Sequence, residues 1–292
     1  MPADEVGKLY PIAKAVLTPL FRAGWKFHLE GLENVPETGG AILCPNHTSV
    51  LDSFFVPALL PRRVSYVGKA EYMDDWKTRT IFPALGMIPI DREGGDAGER
   101  ALATAQRLLE QGQLFGIYPE GTRSRDGRLY RGHTGPARLA LRTGAPIIPI
   151  GIQGAREVMP PDAKFPRLRL PVTIRFGRPI DVERYRGRAN DRLVLRQIID
   201  EVMYEIRELS GQEYVDEYAN KKKRAEPTPV VDAAASNGHA APAPVSSNGS
   251  ANGHAPAASD DEVDRDASAF VESTTPRSSA DALKRPIRRS AV

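Results

Sequence analysis

Short apolar runs alternate with longer amphipathic stretches through most of the chain. Runs at 41–44, 64–67, 87–90, 114–118, 147–152 and 172–176 are aliphatic and bounded by Gly, Pro or charge, which predicts buried strands. Between them, apolar residues recur at helical spacing. Asp96 with Glu99 forms a capping pattern ahead of a helix over 97–111, and Gly112 closes it. Thr134 precedes a helix with Pro136 in its first turn and Gly144 at its end. Asp191 caps a long helix in which Leu195, Ile198, Val202, Ile206 and Leu209 repeat along one face. This alternation predicts an α/β fold, a mixed, largely parallel sheet flanked by helices. Sites in such sheets form on loops leaving the strand ends.

The two ends of the chain differ from this body. Wound as a helix, residues 9–27 carry Leu9, Ile12, Val16, Leu17, Leu20, Phe21 and Trp25. Lys8, Lys14, Arg22 and Lys26 collect on an arc of roughly 120°. That amphipathicity suits a helix lying in a membrane interface, and a helix packed on the domain with a solvated basic face is the alternative. Pro19 is expected to break or kink it. From Ala225 onward the sequence is rich in Ala, Pro, Ser, Asn and Gly, and repeats Asn-Gly-His-Ala at 237–240 and 252–255. Such a composition buries too little apolar surface to offset its ordering entropy. The expected organisation is an interfacial helical segment at 1–28, one folded domain at 29–215 and a disordered tail at 216–292.

The whole chain carries a formal charge of +3 while residues 225–292 carry −3, which leaves about +6 on the body. Anionic partners such as phosphate groups or acidic lipid fit that balance. The basic residues are scattered and no nucleic-acid-binding motif accompanies them, so nucleic acid is not an expected partner. Cys44 is the one cysteine, which rules out an intrachain disulfide. Its aliphatic neighbours predict a buried strand thiol, with a Cys44–His47 nucleophile pair as the alternative. No apolar run reaches the roughly 18 residues of a membrane span, and no signal peptide opens the chain. The protein is expected in the cytoplasm, at the inner face of the membrane without crossing it.

The chemistry concentrates at predicted strand ends. Asn46-His47-Thr48-Ser49-Val50-Leu51-Asp52 follows the first strand and sets a histidine five residues ahead of a carboxylate. A carboxylate on one ring nitrogen fixes the tautomer and leaves the other nitrogen free as a base near neutral pH. Ser49 and Asp52 also match a capping box, so the aspartate has a purely structural reading as well. Lys69 follows the second strand and Asp91-Arg92 the third. Tyr118-Pro119-Glu120-Gly121-Thr122-Arg123-Ser124 leaves the fourth, where hydroxyls, amides and a guanidinium suit a phosphate. Arg125, Arg128 and Arg131 add positive charge, and His133 is read as a loop residue.

His47-x4-Asp52, Asp91-Arg92, the Glu120-Gly121-Thr122-Arg123-Ser124 run and Ile148-Pro149-Ile150 stand in the order of four motifs of the glycerolphosphate acyltransferase family. Across roughly residues 10–210 the chain resembles its bacterial lysophosphatidic-acid acyltransferases. The resemblance implies transfer of a fatty acyl group from acyl-CoA or acyl-acyl-carrier-protein to 1-acylglycerol-3-phosphate, giving phosphatidic acid, with no cofactor and no metal. It implies His47 as general base and Asp52 as its orienting partner. Asn46, Lys69, Arg92, Glu120, Gly121, Thr122, Arg123 and Ser124 would bind the acceptor, and Pro149 would shape the acyl site. The Asp–Arg motif departs from the family pattern, with Pro89 where a bulky residue is usual. Membrane lipid and the thioester carrier are the implied partners. Another lysophospholipid or a glycolipid acceptor, and a non-catalytic lipid-binding protein, are the competing readings.

Overall fold

The computed structural model describes residues 10–69, 86–90 and 97–219. Helix α1 (Tyr10–Gly24) leads into β1 (Lys26–Glu30), β2 (Ala41–Pro45), α2 (Asp52–Leu59), β3 (Val64–Lys69) and β4 (Met87–Ile90). There follow α3 (Ala97–Glu110), β5 (Leu114–Gly116), β6 (Leu129–Tyr130), α4 (Gly135–Thr143) and β7 (Ile147–Gln153). A one-turn α5 (Ala155–Val158), β8 (Pro171–Phe176), α6 (Arg192–Ser210) and β9 (Tyr214–Val215) complete it. Seven strands make one sheet in the order β1-β8-β7-β2-β5-β3-β4, and β6 pairs with β9 beside it. Only β7 and β8 run antiparallel; the other pairs are parallel. The expected mixed α/β sheet is therefore present.

Both faces of the sheet are covered, which explains why the central strands read as unbroken aliphatic runs. One face buries Ile42, Cys44, Phe115 and Ile147 under α3, α4 and α6. The other buries Leu43, Val64, Ile148 and Ile150 under α1, α2 and α5. Helix α6 is capped as its sequence predicts, with Asp191 accepting from the N–H groups of Leu193 and Val194. Thr134 stands at the N-cap of α4 without using its side chain as a cap. The Asp96 cap and the tail beyond 219 lie outside the described residues.

The N-terminal segment departs most from expectation. Strand β1 begins at Lys26, so the boundary expected at residue 28 falls inside it, and it pairs in parallel with β8. Helix α1 runs unbroken through Pro19. Its Phe21, and Trp25 just after it, point into the domain and pack edge-to-face on Phe55, with centroids 5.6 and 5.3 Å from that ring. Thr18 donates to the Ala58 carbonyl at 2.7 Å, and Lys14 donates to the carbonyls of Leu60 and Pro61. Lys14 is thus spent on the C-terminal end of α2 instead of on a basic outer face. What faces outward is aliphatic, with Ile12, Val16 and Leu20 each about three-fifths exposed.

Helix α6 crosses β7 so closely that only glycine fits at the crossing. A Cβ on Gly151 would lie 2.4 Å from the Leu209 carbonyl carbon and 2.6 Å from the Ser210 nitrogen. Neither backbone atom can yield without moving the helix. Gly151→Ala is expected to destabilise the protein by about 1–3 kcal/mol in chemical denaturation. An unchanged midpoint would show that α6 can shift freely.

Candidate active site

Parallel pairing brings the C-terminal ends of β2, β5, β3 and β4 to one edge of the sheet. The loop after β2 carries His47. Its Nδ1 lies 3.0 Å from Asp52 Oδ2, and that oxygen also accepts the backbone N–H groups of Thr48 and Ser49, both at 2.8 Å. Asp52 is fully buried while the His47 side chain keeps 14% of its exposure. With Nδ1–H donated to the carboxylate, Nε2 is left with its lone pair. The capping box is altered: Asp52 reaches back to the Ser49 N–H, while Ser49 Oγ accepts the Leu51 N–H at 3.3 Å in place of that of Asp52 and donates to the Met159 carbonyl at 3.0 Å. Helix α2 accordingly starts at Asp52. The capping and orienting roles fall on one oxygen.

The loop after β5 clamps His47 from the other side. Glu120 is buried, and its two oxygens accept the N–H of His47 at 3.1 Å and of Tyr130 at 3.0 Å. The Ser124 N–H donates to the His47 carbonyl at 2.7 Å. Gly121 turns the chain with a φ of 71°, next to the His133 ring, which stacks on Tyr218. The arginines of this region divide clearly. Arg125, Arg128 and Arg131 face Asp162, Asp126 and Asp216 respectively. Arg123 is half-buried and has no carboxylate partner among the described residues. A guanidinium without a carboxylate partner is suited to an incoming anion.

Several expected contact residues are committed elsewhere. Asn46 is buried, exchanging hydrogen bonds with Ile152 and donating to Gln212 Oε1 at 2.7 Å. Ser124 Oγ closes a turn through Asp126 and Gly127. Pro149 is buried in β7, level with Cys44, and its carbonyl accepts from Gly177. These three have partners within the protein in this structure. Thr122 stays half-buried within the loop. Lys69 ends β3 in register with Ile90, at the same sheet edge, and Arg92 lies outside the described residues. Cys44 is buried in the core, where burial pushes its thiol well up, so the Cys44–His47 pair does not form. Among the described residues, no group of three or more His, Cys, Asp or Glu side chains could hold a metal ion.

Residues 26–153 match the family model described as Acyltransferase. The 1-acyl-sn-glycerol-3-phosphate acyltransferase of Limnanthes douglasii is 32% identical over 168 residues, 55% of this chain and 56% of that one. The enzyme of the same name from Bacillus subtilis is 30% identical over 124 residues, 42% of this chain and 60% of that one. The chloroplastic enzyme of Arabidopsis thaliana is 30% identical over 137 residues, 47% and 38% of the two chains. Over these residues the chain is similar to 1-acyl-sn-glycerol-3-phosphate acyltransferases. It spans about half the length of the curated relatives it matches, between 38% and 60%. The crystal structure of the 1-acyl-sn-glycerophosphate acyltransferase from Thermotoga maritima shares the fold, with a TM-score of 0.53 at 24% identity over 67% of this chain and 75% of that one.

One residue beside His47 does not stand out from the motifs. The Tyr118 ring stacks on the His47 imidazole, centroids 3.7 Å apart and planes 14° from parallel. Its hydroxyl meets Ser53 Oγ at 2.8 Å, and Tyr66 stacks behind it at 5.8 Å. Only the position of Tyr118, directly before Pro119-Glu120, signalled it. Tyr118→Ala is expected to lower kcat by about tenfold or more as the imidazole loses its lateral support. Tyr118→Phe keeps the stack and should retain most activity; equal losses in the two variants would reject the stacking role.

Burial pushes the Glu120 carboxyl up to about 8, against the pull of the N–H groups of Tyr130 and His47, and the Asp52 and Asp126 carboxylates push the same way. Unfolded, the group ionises near 4.5. The native protein then holds a proton that the unfolded chain has released, so the stability from this group is full below about 4.5, is lost as pH rises to about 8, and is level above. Denaturation across that window should show a downward slope in the wild type that Glu120→Gln lacks. Parallel pH profiles would contradict the raised carboxyl.

Proposed function

We propose that this protein moves a fatty acyl group from acyl-CoA or acyl-acyl-carrier-protein to the free hydroxyl of 1-acylglycerol-3-phosphate, giving phosphatidic acid. The observation that carries this reading is the His47–Asp52 pair, gripped by the loop that carries Arg123, which has no carboxylate partner among the described residues. The names of the relatives from Limnanthes, Bacillus and Arabidopsis support the choice of acceptor.

In this mechanism His47 Nε2 takes the proton from the acceptor hydroxyl as its oxygen attacks the thioester carbonyl. The new C–O bond forms, the C–S bond breaks, and the imidazolium returns its proton to the departing thiolate. Asp52 holds the ring and stabilises the transient positive charge. No acyl-enzyme is needed, which agrees with the burial of Cys44 in the core. Arg123 would hold the acceptor phosphate, with Lys69 and Arg92 contributing from neighbouring strand ends.

Among the described residues no helix is long and apolar enough to cross a membrane. We place the protein peripherally, at the cytoplasmic face of the membrane, where a lysolipid acceptor resides.

His47→Ala should lower acyl transfer by roughly 100-fold or more, and Arg123→Ala should chiefly raise KM for the phosphate-bearing acceptor. A panel of lysolipids crossed with both thioester donors measures each effect. Equal rates for wild type and His47→Ala would mean the base is misassigned. Turnover confined to acceptors without a phosphate would reject the role of Arg123.

A further inference from the structure

The exposed ridge of α1 does not stop where the helix does. Ile12, Val16 and Leu20 recur every four residues, and the next place in that row is Gly24, which has no side chain. Leu168 takes it: its Cδ2 would lie 3.7 Å from a Cβ on Gly24. Leu168 is 62% exposed, and Phe165, three residues earlier, is 82% exposed, the largest aromatic surface on the described residues. Two segments far apart in sequence thus present one aliphatic and aromatic row to the outside.

The second segment is built in place. Trp25 Nε1 donates to the Arg167 carbonyl and the Arg169 N–H donates to the Gly24 carbonyl, both at 2.7 Å. The Lys26 N–H donates to the Leu170 carbonyl, and the Arg167 N–H to the Val158 carbonyl. Arg169 has a φ of 63°, the one positive φ outside glycine among the described residues, so the loop is held in a strained turn against α1. Arg22, Lys26, Lys164, Arg167 and Arg169 are exposed along these segments, and neither 10–28 nor 163–170 contains a carboxylate. The nearest acids on the loop side are Glu157 and Asp162, the latter 3.9 Å from Arg125.

We infer that residues 163–170 form, together with the outer ridge of α1, a single docking surface for an anionic lipid bilayer, in which Phe165 and Leu168 enter the acyl region beside Ile12, Val16 and Leu20. Apolar side chains ringed by cations match a surface that is apolar beneath and negatively charged above. A soluble protein partner would need carboxylates over an apolar floor, and nothing in the two segments selects for that. The inference rests on the lipid-acceptor reading and adds to it a contact site remote in sequence from the N-terminal helix. The loop is also anchored next to the site: the Arg167 N–H binds the Val158 carbonyl, and the carbonyl of the neighbouring Met159 accepts from Ser49 Oγ.

The test uses the full chain, wild type against a Phe165→Ser/Leu168→Ser double variant. Binding is read by sedimentation with phosphatidylcholine vesicles, with and without phosphatidylglycerol. Wild type should bind the mixed vesicles more tightly than pure phosphatidylcholine. The double variant should lose about tenfold in affinity while acyl transfer to a short-chain, water-soluble lysophosphatidic acid stays unchanged, which shows that it is folded. Vesicle binding equal to wild type in the double variant, with loss only in Ile12→Ser/Val16→Ser, would overturn the inference and leave α1 alone as the contact. Absence of wild-type binding, or a change from dimer to monomer in the double variant with vesicle binding intact, would overturn it too. Intact vesicle binding without any acyl transfer would instead count against the proposed reaction.

Discussion

Oδ2 of Asp52 accepts three hydrogen bonds in a place water does not reach, from His47 Nδ1 and from the backbone N–H groups of Thr48 and Ser49. A buried carboxylate is costly unless it is hydrogen-bonded. Here Oδ2 takes all three bonds while Oδ1 is buried without a hydrogen-bond partner among the described residues, and the bonds to Oδ2 fold the turn between β2 and α2. Removing the carboxylate would strand two buried N–H donors as well as free the imidazole. The same turn is gripped from outside by the loop after β5, through Glu120 on the His47 nitrogen side and Ser124 on its carbonyl side. The base is therefore positioned by its backbone as much as by its ring. Parallel pairing of β2 with β5 makes the grip possible, because it brings both loops to one edge.

What could be read from the sequence follows from what residue type and spacing encode. Aliphatic runs revealed the strands that are buried on both faces, and Asp191 announced the start of α6 because capping is a local matter. The His47–Asp52 pair was legible for the same reason: both partners lie within one turn of chain. Strand β1 was not, since its alternating exposure sits next to a helix and completes an apparent amphipathic pattern. The direction of α1 was hidden as well. Only the packed structure shows that Lys14 reaches the carbonyls of Leu60 and Pro61 and that the aromatic residues turn inward.

Polar residues of the motifs were the least legible, because their partners are distant. Asn46 has the chemistry of a substrate contact, yet Gln212, 166 residues away, and Ile152 take its amide. Spacing tells which groups can meet a substrate; it does not tell which of them the fold has already used. Arg123 stands out for the inverse reason. Four arginines crowd the same stretch of chain; the motif singles out Arg123, and the fold gives Arg125, Arg128 and Arg131 each a carboxylate.

The carboxyl of Glu120 brings these themes together. It lies in the loop proposed to hold a phosphate, where a full negative charge would oppose such a ligand. Burial raises it to about 8, so near neutral pH it is mostly uncharged while still receiving the His47 N–H. A dianionic phosphate arriving next to it would favour the protonated form further, by the same repulsion that Asp52 and Asp126 already exert. Glu120 can thereby fix the backbone of the base while mostly uncharged. Gln would also be neutral in its place, but an amide offers one acceptor oxygen where two N–H groups, from His47 and Tyr130, must be met. A carboxyl has an oxygen for each of the two N–H groups, Oε1 for His47 and Oε2 for Tyr130.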